Sequence, residues 1–97
     1  MPAIARKGDM GSEHEGFAPT AAIEGSADVE IDGLPALRVG DALAPHDKPK
    51  NPAHSRKVAQ GSPTVFVNGL PVARIGDAID CGGTIEAGSG TVSADDG

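Results

Sequence analysis

Four side chains of this 97-residue sequence could bind a metal ion through nitrogen or sulfur. They are its three histidines and its single cysteine: His14, His46, His54 and Cys81. Three of them follow a Gly-Asp pair at nearly the same distance: His14 lies five residues after Asp9, His46 five after Asp41, and Cys81 four after Asp77. If threefold symmetry relates the segments that carry them, these three side chains converge on the axis. His54, on the long loop after His46, is the candidate for a fourth donor.

This set of donors predicts a structural metal site. Imidazole nitrogens and a thiolate in a tetrahedron suit zinc, and four protein ligands leave no position for water. Iron and nickel stay open, because selection depends on geometry and supply as well as on ligand type. The alternative is that the histidines and the cysteine are unrelated, since their spacing matches no familiar local zinc finger. The shared register favours the metal site.

The Gly-Asp pairs close a repeated unit. Residues 65–77 are a near copy of residues 29–41 at a constant offset of 36, and Gly-Ser precedes both copies. A truncated copy, residues 2–9, opens the chain, and residues 88–92 begin a further Gly-Ser head near its end. Joined in space, these two halves would make a third unit. The repeat therefore predicts pseudo-threefold symmetry within one chain.

Each unit is expected to be a short β-hairpin. Val29 and Ile31 alternate with acidic residues, which is the pattern of a strand with one buried face. Asp32-Gly33 and the equivalent Asn68-Gly69 predict type I′ turns, in which both central residues need positive φ. The predicted fold is thus a small all-β domain of three hairpin-like units with the metal site where the loops meet.

The remaining segments are expected to contribute little regular structure. Residues 42–52 contain three prolines and are interpreted as a long loop, and at most one or two helical turns are expected, around residues 54–58. The acidic tail, residues 93–97, is expected to be frayed. Each unit also repeats one Arg-x-x-Asp spacing, for which we expect a structural ion pair or turn cap: Arg6 with Asp9, Arg38 with Asp41, and Arg74 with Asp77.

Size and composition limit the function. Residues 1–97 form one predicted domain with two Phe, no Trp and no Tyr. The hydrophobic core is therefore expected to be small and to need a further stabilising element. One cysteine excludes an intrachain disulfide, and no segment resembles a membrane span or a secretory signal. The net charge of -6 argues against a nucleic-acid partner. The one basic cluster, Lys48, Lys50, Arg56 and Lys57, is interpreted as a solvated loop.

The motifs resemble those of the Pro-Ala-Ala-Arg (PAAR) repeat family, the tip proteins of contractile injection machines. The motif appears as Pro35-Ala36-Leu37-Arg38 and Pro71-Val72-Ala73-Arg74, and residues 2–6 carry it with one extra residue. Gly-Ser before each hairpin and Arg-x-Gly-Asp after it extend the resemblance over essentially the whole chain. The resemblance implies a conical β-structure with a metal near its point, held by three histidines and one cysteine. The implied ligands are His14, His46, His54 and Cys81.

The resemblance also implies partners. Family members cap a trimeric β-helical spike, either the valine-glycine repeat protein (VgrG) of type VI secretion or the central spike of a phage tail. Of the two machines we expect type VI secretion, with one copy of the chain per trimer. The chain is then expected to be cytoplasmic until it assembles on the spike and is ejected through a target membrane, with separate effector proteins as further partners; in a phage it would lie at the tail tip of the virion. The rivals are an adaptor that only carries an effector, and a small zinc hydrolase that uses Ser12 or Asp47 near the metal.

Overall fold

Short antiparallel hairpins make up the fold. The computed structural model describes residues 2–13, 15–48 and 51–94. Its eight strands form four two-stranded sheets. In chain order the pairs are β1 (Met10–Gly11) with β2 (Thr20–Ala21), β3 (Glu30–Ile31) with β4 (Leu34–Pro35), β5 (Ala42–Lys48) with β6 (Asn51–Lys57), and β7 (Phe66–Val67) with β8 (Leu70–Pro71). No helix occurs in these ranges, so the all-β prediction is confirmed.

The two predicted type I′ turns are present. Asp32 and Asn68 both have a φ of 55°, and the glycines that follow them have φ values of 81° and 78°. This left-handed backbone costs glycine little and suits Asp and Asn better than most other residues. The turns connect β3 to β4 and β7 to β8, with two residues in each loop.

Three backbone segments form a closed triangle at the centre of the molecule. The amide of Ala5 donates to the carbonyl of Ala73 at 2.9 Å, that of Ala73 donates to Leu37 at 2.8 Å, and that of Leu37 donates to Ala5 at 3.0 Å. Each segment belongs to a different unit of the repeat. The chain therefore has the pseudo-threefold symmetry that the repeat predicts.

The two ends of the chain together build the third unit. Ser89 donates its amide to Ile4 at 2.8 Å, as Ser26 does to Ala36 and Ser62 to Val72 within the complete units. Ser93 pairs with Ala3, and the buried Ala94 donates to Pro2 at 3.0 Å. For Ser93 and Ala94 the prediction of a frayed tail is wrong, because they complete the unit that the N-terminus begins. Residues 95–97 lie outside the described ranges.

One ion pair and one serine are repeated in every unit. The Asp41 carboxylate accepts hydrogen bonds from the Arg38 backbone amide, from its Nε and from its Nη2, all at 2.9 Å. Asp9 and Asp77 hold their own arginines in the same way. The hydroxyl of the buried Ser62 accepts the amides of Thr64 and Val65, and the equivalent serines do likewise. The predicted structural role of the Arg-x-x-Asp pairs is confirmed.

Two small apolar cores lie on opposite sides of the triangle, because neighbouring residues of an extended segment point to opposite faces. The basal cluster is formed by Ile4, Ala36, Val67, Val72 and Ala94, and includes a hairpin residue of β7. The apical cluster is formed by Ala5, Ala22, Leu37, Leu43, Val58, Ala73, Ile79 and Ile85, and Cys81 packs against it. The hairpins β3–β4 and β7–β8 thus lie on the opposite side of the triangle from Cys81, in a molecule whose extents are 40 × 27 × 21 Å.

The longest hairpin was not predicted. Residues 42–52, interpreted as a loop, and residues 54–58, interpreted as the place for a helical turn, lie mostly in β5 and β6. The pairing includes Leu43 with Arg56 and His46 with His54, and its register shifts on both sides of His46. Such irregularities let a strand pair accommodate proline. Those two interpretations are therefore wrong.

Candidate metal centre

Three loops of unequal length leave the triangle on its apical side. Their bases are equivalent, since Gly8 donates to Ala22, Gly40 to Val58 and Gly76 to Ile85, at 2.9 Å in each case. We call residues 10–21, 42–57 and 78–84 the first, second and third apical loops. The first contains the β1–β2 pair, the second is the β5–β6 hairpin, and the third is closed by pairing of Ala78 with Thr84. Every predicted metal ligand belongs to one of these loops.

Three of the four predicted ligands lie together. His46 and His54 face each other across β5 and β6, and their Nε2 atoms are 2.7 Å apart. The Cys81 sulfur approaches from the third apical loop and lies 3.7 Å from Nε2 of His46. One donor atom from each residue fits within 4.8 Å of the others. His14 lies outside the described residues.

A backbone carbonyl orients the most buried of the predicted ligands. His46 is 4 % exposed, and its Nδ1 lies 2.7 Å from the carbonyl oxygen of Ala18. A carbonyl can only accept, so we assign the proton of the neutral ring to Nδ1, which leaves the lone pair of Nε2 directed at the cluster. A metal-binding histidine is held in its tautomer in this way.

The spacing of the donors is close to that of a tetrahedral metal site. With the usual zinc–nitrogen and zinc–sulfur bond lengths, two ligands are separated by about 3.3 Å for two nitrogens and about 3.6 Å for nitrogen and sulfur. The sulfur distance of 3.7 Å agrees with this geometry. The two histidine nitrogens, at 2.7 Å, would have to separate by about 0.6 Å to bind one ion in this geometry. The cluster can therefore hold a metal, and its donors suit zinc among others.

Comparison with known families agrees with these features. A family model described as the PAAR motif matches residues 18–87, a range that includes His46, His54 and Cys81. The chain belongs to the PAAR-motif family. A search of the curated proteins gives no match. PAAR-motif proteins are known as spike tips of contractile injection systems and are structural rather than enzymatic.

An aromatic ring covers the two histidines of this PAAR-motif protein. Phe17, from the first apical loop, is 8 % exposed. Its ring centre lies 5.0 Å from that of His46 and 4.5 Å from that of His54. The Phe17 ring thus packs against both imidazoles of the cluster. In the sequence Phe17 lies in a polar segment, residues 10–20, and no pattern there indicates its contact with the histidines.

A buried arginine supports the cysteine. Arg56, interpreted from the sequence as part of a solvated basic loop, is fully buried, so that interpretation is wrong for this residue. Its Nε lies 3.3 Å from the Cys81 sulfur. The neighbouring Lys57 is exposed as expected, because alternate residues of β6 point to opposite faces. The repeat could not reveal this role, since the sequence of the second apical loop is unlike that of the other two.

The serine considered for a hydrolase has a structural contact. Ser12 Oγ accepts the backbone amide of Thr84 at 2.8 Å, and the Ser12 amide donates to the Thr84 carbonyl at 2.7 Å. These bonds join the first apical loop to the third. The side chain of Asp47 lies outside the described residues.

Proposed function

We propose that this PAAR-motif chain is a non-catalytic, metal-bound tip that caps a trimeric β-helical spike, with type VI secretion as the most fitting machine. The observation that carries the proposal is the hydrogen-bonded triangle of Ala5, Leu37 and Ala73. A monomer with three similar faces can seat on three identical chains without a symmetry mismatch. The central spike of a contractile phage tail would satisfy the same geometry.

The basal end is the face that we assign to the spike. The hairpins β3–β4 and β7–β8 lie there, and each is a single pair of strands. The backbone at the edge of such a pair can extend the sheet of a partner. Exposed apolar side chains accompany these strands: Leu34 is 40 % exposed, Phe66 54 % and Leu70 39 %. Contact with the spike would cover both the strand edges and the apolar groups.

The apical end is the part that we assign to penetration. We propose that one zinc ion is held there by His14, His46, His54 and Cys81, with iron as the second choice. The ion would close the three apical loops over a core that has few large side chains. Binding would then supply part of the free energy of folding.

Stoichiometry tests the capping function. The purified chain is mixed with a candidate spike trimer, VgrG or a phage spike, and the mass of the complex is measured by light scattering. We expect one copy per trimer. Absence of binding to every spike tried, or three copies per trimer, would contradict the proposal.

A matched pair of variants tests the assigned face. Phe66→Asp places a charge on the basal end and should weaken spike binding at least tenfold, about 1.4 kcal/mol. Ile23→Asp is the control, because Ile23 is similarly exposed, at 48 %, but follows the base of the first apical loop. Equal effects of the two substitutions would place the interface elsewhere.

An effector-carrying adaptor is the second function that we consider. Such an adaptor would retain a separate effector protein when isolated, and a bare tip would not. Under either function the chain would assemble on the spike in the cytoplasm and leave the cell with it. Detection of the chain in the medium only when the injection machine is functional tests this route.

A further inference from the structure

We propose that Arg56 is a positioning residue for the metal centre, which holds the Cys81 thiolate through an Nε–H···S hydrogen bond and locks the three apical loops around the ion. This inference rests on the metal site proposed above. It concerns a cation that neither the repeat nor the predicted ligand set includes.

The contacts of Arg56 join all three apical loops. The residue itself belongs to the second loop, on β6. In the first loop its Nη1 donates to Thr20 Oγ1 at 3.0 Å, and its Nη2 donates to the carbonyl of Ser12 at 2.7 Å. Nη1 also lies 3.4 Å from the Gly11 carbonyl. In the third loop its Nε lies 3.3 Å from the Cys81 sulfur. His46, in the same loop, also contacts both neighbouring loops, through Ala18 and Cys81.

The charge of Arg56 is placed unlike that of the repeat arginines. Arg6, Arg38 and Arg74 are each paired with an aspartate three residues later. Arg56 is 0 % exposed, and within the described residues its hydrogen-bond partners are two carbonyls, at 3.4 and 2.7 Å, a hydroxyl and the sulfur. A buried cation is stable only beside an anion or strong acceptors. The sulfur of a metal-bound thiolate keeps lone pairs and is such an acceptor for the Arg56 Nε–H.

Two glycines show how closely the first and third loops pack against the Arg56 guanidinium. A Cβ added at Gly11 would lie 3.3 Å from Nη1, and one added at Gly83 would lie 3.3 Å from Nη2. The absence of a side chain at Gly11 in the first loop and at Gly83 in the third thus leaves room for the guanidinium. The guanidinium fills the space between the two loops, and a side chain at either glycine would push the loops away from it.

Such a contact should change the electronic properties of the metal–sulfur bond. A cation that donates a hydrogen bond to a thiolate withdraws electron density from the sulfur. It also fixes the direction of the sulfur lone pairs, as outer residues commonly do for metal ligands. Loss of Arg56 should therefore alter the sulfur signal itself, which loss of a merely structural residue would not.

Cobalt substitution gives the direct test. The full chain is loaded with Co²⁺, and its thiolate-to-cobalt absorption band is recorded in the near ultraviolet, where a chain without Trp or Tyr is almost transparent. In Arg56→Met we expect this band at longer wavelength and a cobalt affinity about 10- to 100-fold lower. Arg56→Lys keeps the charge and should return the band toward its original position.

Lys57→Met is the matched control, because it removes one positive charge from the adjacent, exposed residue of β6. Its band and its affinity should equal those of the unaltered chain. An Arg56→Met band at the original wavelength, or an equal shift in Lys57→Met, would overturn the role of Arg56. No cobalt binding by the unaltered chain would instead overturn the metal site.

A second measurement needs no variant and applies even if Arg56→Met does not fold. The unaltered chain is loaded with ¹¹³Cd, and the Arg56 Nε–H proton is examined by nuclear magnetic resonance. A scalar coupling between this proton and the cadmium nucleus, transmitted through the sulfur, is the expected result. Cadmium bound to the cysteine without such a coupling would refute the hydrogen bond.

Discussion

Removing the aspartate of one repeated Arg-x-x-Asp pair gives a quantitative test of the structural role of these pairs. In Asp77→Ala the side chain removed is 5 % exposed and accepts three hydrogen bonds from Arg74, at 2.7, 3.0 and 2.8 Å. The Arg74 side chain is only 15 % exposed, so the substitution would remove an anionic partner from it in a largely dry environment. Breaking a buried pair from one side costs about 3 to 5 kcal/mol, and partial hydration of the arginine favours the lower end.

We therefore expect Asp77→Ala to lose about 3 kcal/mol, which corresponds to a fall in Tm of roughly 12 to 24 °C for a domain of this size. Far-UV circular dichroism is the suitable assay, because the chain has no Trp or Tyr for intrinsic fluorescence. Melting is measured with and without a chelator, so that metal binding does not mask the change.

The symmetry provides replicates of this test. Asp9→Ala and Asp41→Ala remove the same three kinds of hydrogen bond from carboxylates that are 10 % and 8 % exposed, so their losses should be similar. Glu30→Ala, on the exposed face of β3, removes the same charge and should change stability by less than about 0.5 kcal/mol. A loss in Asp77→Ala no larger than that control would refute the structural role of the ion pairs.

Three further outcomes are expected. Chelation should lower the Tm of the unaltered chain by many degrees. Cys81→Ser should melt at a lower temperature and respond little to chelator, and an equal response of the two proteins to chelator would contradict stabilisation by a bound metal. Ser62→Ala leaves two amides without their acceptor and should cost about 1 to 3 kcal/mol by urea unfolding, whereas no loss would show that water replaces the hydroxyl. The pKa of Asp32 is lowered mainly by hydrogen bonds from Ser89 and Thr91 and to a smaller extent by the positive charge of Arg6. The ionised Asp32 therefore stabilises the fold above the ordinary value of 3.8, and this stabilisation is lost as the pH falls through the lowered pKa. Asp32→Asn should flatten the fall of Tm with pH in that acidic range, and an unchanged slope would contradict the assignment.

The frame of this protein could be predicted from its sequence because the same local signals occur in each unit. Asp32-Gly33 and Asn68-Gly69 fix their turns through backbone conformation alone, which needs no knowledge of distant residues. The register of the copies then placed the two chain ends in a common third unit. Repetition allowed a long-range arrangement to be inferred from local patterns.

The support of the metal centre could not be predicted in the same way. Arg56 resembles any basic residue of a polar loop until β6 is seen to turn it inward beside Cys81. Phe17 and the Ala18 carbonyl likewise reach the histidines from another loop, across 28 positions of sequence in the case of Ala18 and His46. These contacts depend on how three dissimilar loops fold against each other, and no single loop encodes them.

The three apical loops differ in length, and the number of ligands in the proposed metal site offers a physical reason for the difference. Three equivalent loops can offer three ligands to an ion on their common axis, but a tetrahedral site needs four. One loop must therefore supply two donors, and the second apical loop, the longest, forms a hairpin that places His46 directly opposite His54. Directly opposite residues of antiparallel strands have their Cβ atoms about 5 Å apart, which allows two imidazoles to reach one ion. The threefold arrangement thus suits the symmetry that we propose for the spike, and the departure from that symmetry on the apical side suits the proposed four-ligand metal site.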